Sequence, residues 1–141
     1  MAKFGLSKGE RIKRREVISA VWEKGETIKS YPIRLLALPI QPVEGESRVQ
    51  IMPVVAKKRF KRAVDRNAIK RLIREAYRLN KSELIHAVEL NDLHLAVCFV
   101  YTGRDLPSFE LIQHKIILSL QRLTLQIHPS TPESKSALTN E

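Results

Sequence analysis

The sequence predicts an α+β fold, one mixed sheet with helices packed on it. Three observations carry this expectation. Residues 63–79 hold no Gly or Pro and are rich in Arg, Leu, Ile and Ala, which makes them the clearest helix in the chain. Residues 93–101 contain His94-Leu95-Ala96-Val97-Cys98-Phe99-Val100, an apolar run continuous enough for the middle of a sheet. Residues 31–40 and 49–55 read as further strands on either side of a Pro/Gly/Glu turn.

Taken in order, Ser7 followed three residues later by Glu10 looks like a capping box. A first helix is expected from there, or slightly later at the basic run Arg11, Lys13, Arg14, Arg15. Val17, Ile18, Val21 and Trp22 fall on one stripe of it, and Gly25 is its stop. Pro32 and Pro39 sit at the ends of the first strand, where a missing N–H is tolerated. Pro42, Glu44, Gly45 and Glu46 form the turn to the second strand, expected to run antiparallel to the first. Pro53 inside that strand suggests an edge or a bulge. Residues 57–62 are a basic connector into the long helix, and Asn91 and Asp92 mark a turn. Ser108 can cap a last helix over about residues 109–125, with Leu111, Ile112, Ile116, Leu118, Leu120 and Leu123 as its apolar set; Pro129 ends it. Residues 1–128 form the domain, and 129–141 a polar tail expected to be disordered.

At 141 residues the chain suffices for one domain with a modest core. Twenty-five Lys and Arg against fifteen Asp and Glu leave a net charge of +10, a balance that favours a polyanionic partner. The single cysteine, Cys98, excludes an internal disulfide and fits a reducing compartment. No signal peptide or membrane-spanning run is visible, so a soluble cytoplasmic protein is expected.

The long helix is two-sided. At 100° per residue, Arg66, Asn67, Lys70, Arg71, Arg74 and Arg78 share one face, while Ile69, Leu72, Ile73 and Ala76 share the other, with Tyr77 at the border. A merely solvated helix normally mixes signs and gains i,i+4 ion pairs. Here Arg66, Lys70, Arg74 and Arg78 repeat one sign at i,i+4, which destabilises the free helix by a few tenths of a kcal/mol per pair, roughly. An anionic ligand relieves that repulsion. Arginine predominates, and its planar fork matches phosphate oxygens and stacks on bases.

Within residues 56–78 stand Lys57-Lys58, a short gap, Ala63-Val64, then Arg66-Asn67-x-x-Lys70-Arg71-x-x-Arg74-Glu75. This long, fixed-spacing pattern resembles the signature of the bacterial ribonuclease P protein component. Upstream, Arg11-Ile12-Lys13 followed by Ile18, Val21, Trp22 and Gly25 is similar to the family's first helix, and the resemblance runs from about Phe4 to Leu125. It implies a single-domain two-layer sandwich in the order α-β-β-β-α-β-α, with a left-handed βαβ crossover. It also implies a subunit that binds ribonuclease P RNA and precursor tRNA, not DNA or membrane, and that assists removal of the tRNA 5′ leader. The chemistry of that endoribonuclease belongs to the RNA and its Mg²⁺, with no protein catalytic residue. By the resemblance Arg66, Asn67, Lys70, Arg71 and Arg74 contact the RNA subunit, and the basic surface extends to Lys57, Lys58, Arg62 and Arg78. A leader cleft is implied at Arg11, Lys13, Ile18 and Trp22. Two positions depart from the family pattern: Ala68 replaces a cation, and Ile18 replaces an aromatic. Trp22 can stack a base, but a tryptophan is equally at home in a core.

Other chemistry lacks its residues. His86, His94, His114 and His128 have no metal-ligand spacing with Cys98, and the carboxylates do not cluster. No phosphate-binding loop, nucleophile elbow or HExxH occurs. Rival readings are a ribosomal or other structural RNA-binding protein, a helix-turn-helix DNA binder, and a metal nuclease. The DNA reading lacks a second helix a short turn before the basic one. The nuclease reading lacks carboxylates.

Overall fold

The structure, a computed structural model, describes residues 6–127. Phe4, His128, Pro129 and the polar tail 129–141 lie outside the described residues. A short 3-10 turn, Lys8–Glu10, leads to α1 (Arg15–Lys24), β1 (Glu26–Ser30), β2 (Ile33–Pro39), β3 (Val49–Val55), α2 (Ala63–Asn80), α3 (Ser82–Leu90), β4 (Leu95–Tyr101) and α4 (Phe109–Ile127). The expected order holds, with α3 inserted between the long helix and the last strand.

The sheet order is β1-β2-β4-β3. β2 lies antiparallel to both β1 and β4, and β3 lies parallel to β4. The expected antiparallel pairing of 49–55 with 31–40 is therefore corrected: β4 separates them. All seven residues of β4 are buried, so it takes the interior position and leaves β3 at the margin. Pro53 is consistent with that marginal place, since its missing N–H disturbs only one ladder.

The first helix begins later than the box at Ser7. Glu10 accepts from Ser7 N at 3.0 Å, but the turn stops there because Ile12 N donates to Ile51 O at 3.1 Å. Arg11, Lys13 and Arg14 thus lie in an extended strap along β3, ahead of α1. The helix therefore starts only at the end of the basic run, with Arg14 as its N-cap and Arg15 as its first residue, because this long-range pairing holds Arg11 and Lys13 extended. At the other end of the chain, Leu111 N donates to Ser108 Oγ at 3.1 Å, the cap expected for α4.

One sheet face carries Ile33, Leu35, Ile51, Val97 and Phe99 against Ile69, Ile73, Ala76 and Tyr77 of α2, Leu84 of α3, and Ile112 and Ile116 of α4. Each such aliphatic side chain contributes about 1.5–3 kcal/mol by leaving water. The opposite face carries Leu36, Ala96, Cys98 and Val100 under Val17 and Val21 of α1. Cys98 is fully buried there, and burial pushes its thiol up to about 11; it acts as a small hydrophobe.

Candidate nucleic-acid interface

Phe60 organises the basic connector. Its ring is buried and lies 5.9 Å from the Tyr101 ring. Its amide and that of Arg59 both donate to Ala56 O, at 3.2 Å each. One apolar anchor thus holds a tight turn whose Lys57, Lys58, Arg59, Lys61 and Arg62 all remain exposed. The sequence reading missed Phe60; an aromatic alone among cations was the available signal.

Arg66 completes the turn. Its Nη1 donates to Phe60 O and Lys61 O, both at 2.9 Å. This side chain fastens the connector to the first turn of α2, a role that spacing alone did not reveal. Arg62 meets Asp65 at 3.8 Å, and Arg78 makes a two-point ion pair with Glu75. Glu75 therefore neutralises the last cation of the expected row. Asn67 and Arg71 are exposed, and Lys70 and Arg74 are half-buried. Among the described residues, Lys57, Lys58, Lys70, Arg71 and Arg74 form no ion pair.

Arg74 has crowded surroundings. Burial lowers its pKa, and the charges of Arg11 and Arg71 lower it further. Arg11 comes from the extended strap, so the fold adds a cation from outside the helix to the helix face. None of Arg11, Arg71 and Arg74 forms an ion pair among the described residues, so a phosphate beside Arg74 is stabilised twice, by attraction and by relief of repulsion. Arg11, expected at the cleft with Ile18 and Trp22, also brings its charge to bear on Arg74 of the α2 row.

On the other sheet face, Ile18 is half-buried against the cluster of Val17 and Val21. Trp22, one turn further along α1, is 41% exposed. Val17 and Val21 take the core positions, which leaves the indole at the surface. Lys13 is exposed. Leu38, Met52 and Val54 are half-buried and continue this sheet face beyond α1, an apolar floor suited to flat rings. Among the described residues no group of three or more His, Cys, Asp or Glu is placed to hold a metal ion, and no helix is long and apolar enough to cross a membrane.

The ribonuclease P family model matches residues 6–123. The ribonuclease P protein component of Porphyromonas gingivalis strain W83 is 37% identical over 141 residues, covering 98% of this chain and 96% of that protein. That of Chlorobaculum tepidum is 35% identical over 136 residues, covering 91% and 88%. Among solved structures, the RNase P protein of Staphylococcus aureus superposes with a TM-score of 0.63 at 21% identity, over 82% of this chain and 96% of that one. The RNase P protein of Thermotoga maritima gives 0.62 at 19% identity, over 80% and 96%. These two likenesses are of fold; the sequence matches carry the kinship. With the basic signature on α2, the shared sheet and near-complete coverage of its relatives, this chain belongs to the ribonuclease P protein family.

Proposed function

We propose that the chain is the protein subunit of a ribonuclease P. It binds the catalytic RNA through the connector and α2, and the 5′ leader of precursor tRNA between α1 and the sheet. The observation that carries this reading is the α2 face, where Lys70, Arg71 and Arg74 have no acidic partner among the described residues and Arg11 adds to their crowding. Such a face is stabilised by nucleic-acid phosphates, which also release their condensed counterions on binding. The surface position of Trp22 supports a stacking role at the leader.

The described residues offer no ligand cluster for Mg²⁺. In this reading the RNA holds the Mg²⁺ that phosphodiester cleavage requires and carries the catalytic step, and the side chains carry none. The protein's part is to bind, to orient and to screen phosphate repulsion in a cytoplasmic ribonucleoprotein. A structural RNA-binding protein would share the charge but not the effect on cleavage. Adding the chain to a bacterial ribonuclease P RNA at low Mg²⁺ should restore cleavage of precursor tRNA at the mature 5′ end. Absence of any stimulation, with binding intact, would leave only the structural role.

A further inference from the structure

A cavity of about 290 Å³ opens where β4 leaves the sheet. Its floor is Pro32, Tyr101 and Gly103, all buried, and its rim carries the exposed Tyr31, Arg104 and Leu106. The floor is tightly constructed. A Cβ on Gly103 would fall 2.4 Å from Tyr101 Oη, so only glycine permits this approach. Tyr101 Oη donates to Asp105 O at 2.6 Å. Thr102 N and Oγ1 both donate to Pro32 O, at 2.7 and 3.1 Å. The turn that bears Tyr31 is thereby tied to the loop that bears Arg104.

A lone exposed ring is ordinary on a protein surface. Tyr31 is more than that, because its 68% exposed ring stands on a held turn, at a cavity, near a free cation. The Arg104 side chain makes no hydrogen bond or ion pair among the described residues. The cavity also adjoins the basic connector, since Tyr101 is its floor on one side and packs on Phe60 on the other. Gly25, which ends α1, precedes Glu26, the partner of Ala37 on β2, whereas Tyr31 precedes Ile33, four residues or about 13 Å back along that strand.

We propose that this cavity takes one nucleotide of single-stranded RNA, its base stacked on Tyr31 and its phosphate on Arg104. The proposal rests on the RNA-binding reading above. Stacking on a phenol ring is tolerant of base identity, and a guanidinium fork suits a phosphate. Asp105, also at the rim, offsets one charge but can accept from the exocyclic amine of A, C or G. The volume lies at the lower limit of small-ligand sites, about 300 Å³, which fits one base and no more.

The test uses the full chain with ribonuclease P RNA and the variants Tyr31→Ala, Tyr31→Trp and Arg104→Gln. One arm measures affinity for the RNA subunit alone. The other measures affinity of precursor tRNA for the assembled complex. Tyr31→Ala should weaken one arm by about 5- to 150-fold, Tyr31→Trp should restore it, and Arg104→Gln should weaken the same arm. The arm that responds identifies which RNA supplies the nucleotide. Unchanged affinity in both arms for Tyr31→Ala and Arg104→Gln overturns the proposal. A Lys70/Arg71/Arg74→Gln triple variant runs alongside. If it loses affinity while the cavity variants do not, the cavity alone falls; if it also loses nothing, the RNA-binding reading falls with it. Equal melting temperatures check that the folded fractions match.

Discussion

Arg66 and Arg71 lie on the same helix and carry the same charge, yet the fold uses them differently. Arg66 spends one nitrogen on two carbonyls of the connector, while Arg71 is exposed with no ion pair among the described residues. Charged hydrogen bonds of this kind contribute roughly 1.5–3 kcal/mol when well formed. Arg66→Ala should therefore lower folding stability by about 1–2 kcal/mol and loosen the connector, seen in chemical denaturation and amide exchange at Phe60. Arg71→Ala should leave stability nearly unchanged and reduce RNA affinity only. An Arg66→Ala variant as stable as the wild type would remove the fastening role. Trp22 admits a similar contrast. Truncating a core ring costs about 3–5 kcal/mol of stability, whereas a stacked base is worth about 1–3 kcal/mol. With the indole 41% exposed, Trp22→Ala should change the melting temperature little. It should weaken the complex's binding of precursor tRNA with a 5′ leader, and spare mature tRNA. A large melting shift without leader dependence would return Trp22 to the core.

At the scale of elements, the extended strap was the least legible part of the chain. Ser7 and Glu10 announce a helix start, and their hydrogen bond forms, but the competing partner of Ile12 N, Ile51 O, is far off in sequence and has no local signature. β1 is implied by the resemblance, but the residue pattern does not place it, because only Ile28 of its five residues is buried, too little for alternation to register. α3 was missed because only Lys81 separates it from α2, with no Gly or Pro to punctuate the joint. The α2 face, the marginal Pro53 and the Ser108 cap were readable because each depends on neighbours within a turn or a strand. The strap's own fastening is testable by pH. Burial works to raise the Glu10 pKa, but hydrogen bonds from Lys81 and Ser7 overcome it and hold it below the ordinary value. Glu46 is held low chiefly by its hydrogen bonds from Arg14, at 2.9 Å each. A carboxylate depressed on folding stabilises above its unfolded pKa, about 4.3, and that contribution is lost as pH falls through the folded value. Stability should thus decline below about pH 4.3. Glu10→Gln should lower stability at pH 7 by up to about 1 kcal/mol and flatten the decline, the two proteins converging at lower pH. Parallel pH profiles would show that the Lys81 pair contributes nothing.

Across the whole molecule, charge is distributed against stability. The chain carries a net +10, and folding brings the charges of Arg11 and Arg71 to bear on the half-buried Arg74. A protein that functions alone gains nothing from this arrangement. One that meets a polyanion recovers the repulsion on binding and releases condensed counterions as well. The two contributions can be separated by salt. Each phosphate neutralised adds about 0.7–0.9 to the slope of log affinity against log salt. Replacing Lys70, Arg71 and Arg74 together by Gln keeps most of the aliphatic stems in place and removes the charges. The slope for the RNA subunit should then fall by about 2–3 units if each cation holds one phosphate. Over the same substitutions the free protein should become no less stable at low ionic strength, because like-charge contacts at i,i+4 spacing are relieved. The two readouts move in opposite directions only if the face is a binding surface. A slope and affinity equal to the wild type's would mark these side chains as solvated and place the RNA contact elsewhere. A fall in stability at low salt would mean that their charges support the fold, and that the cost inferred from Arg74 is outweighed by contacts it makes with α2 and the strap.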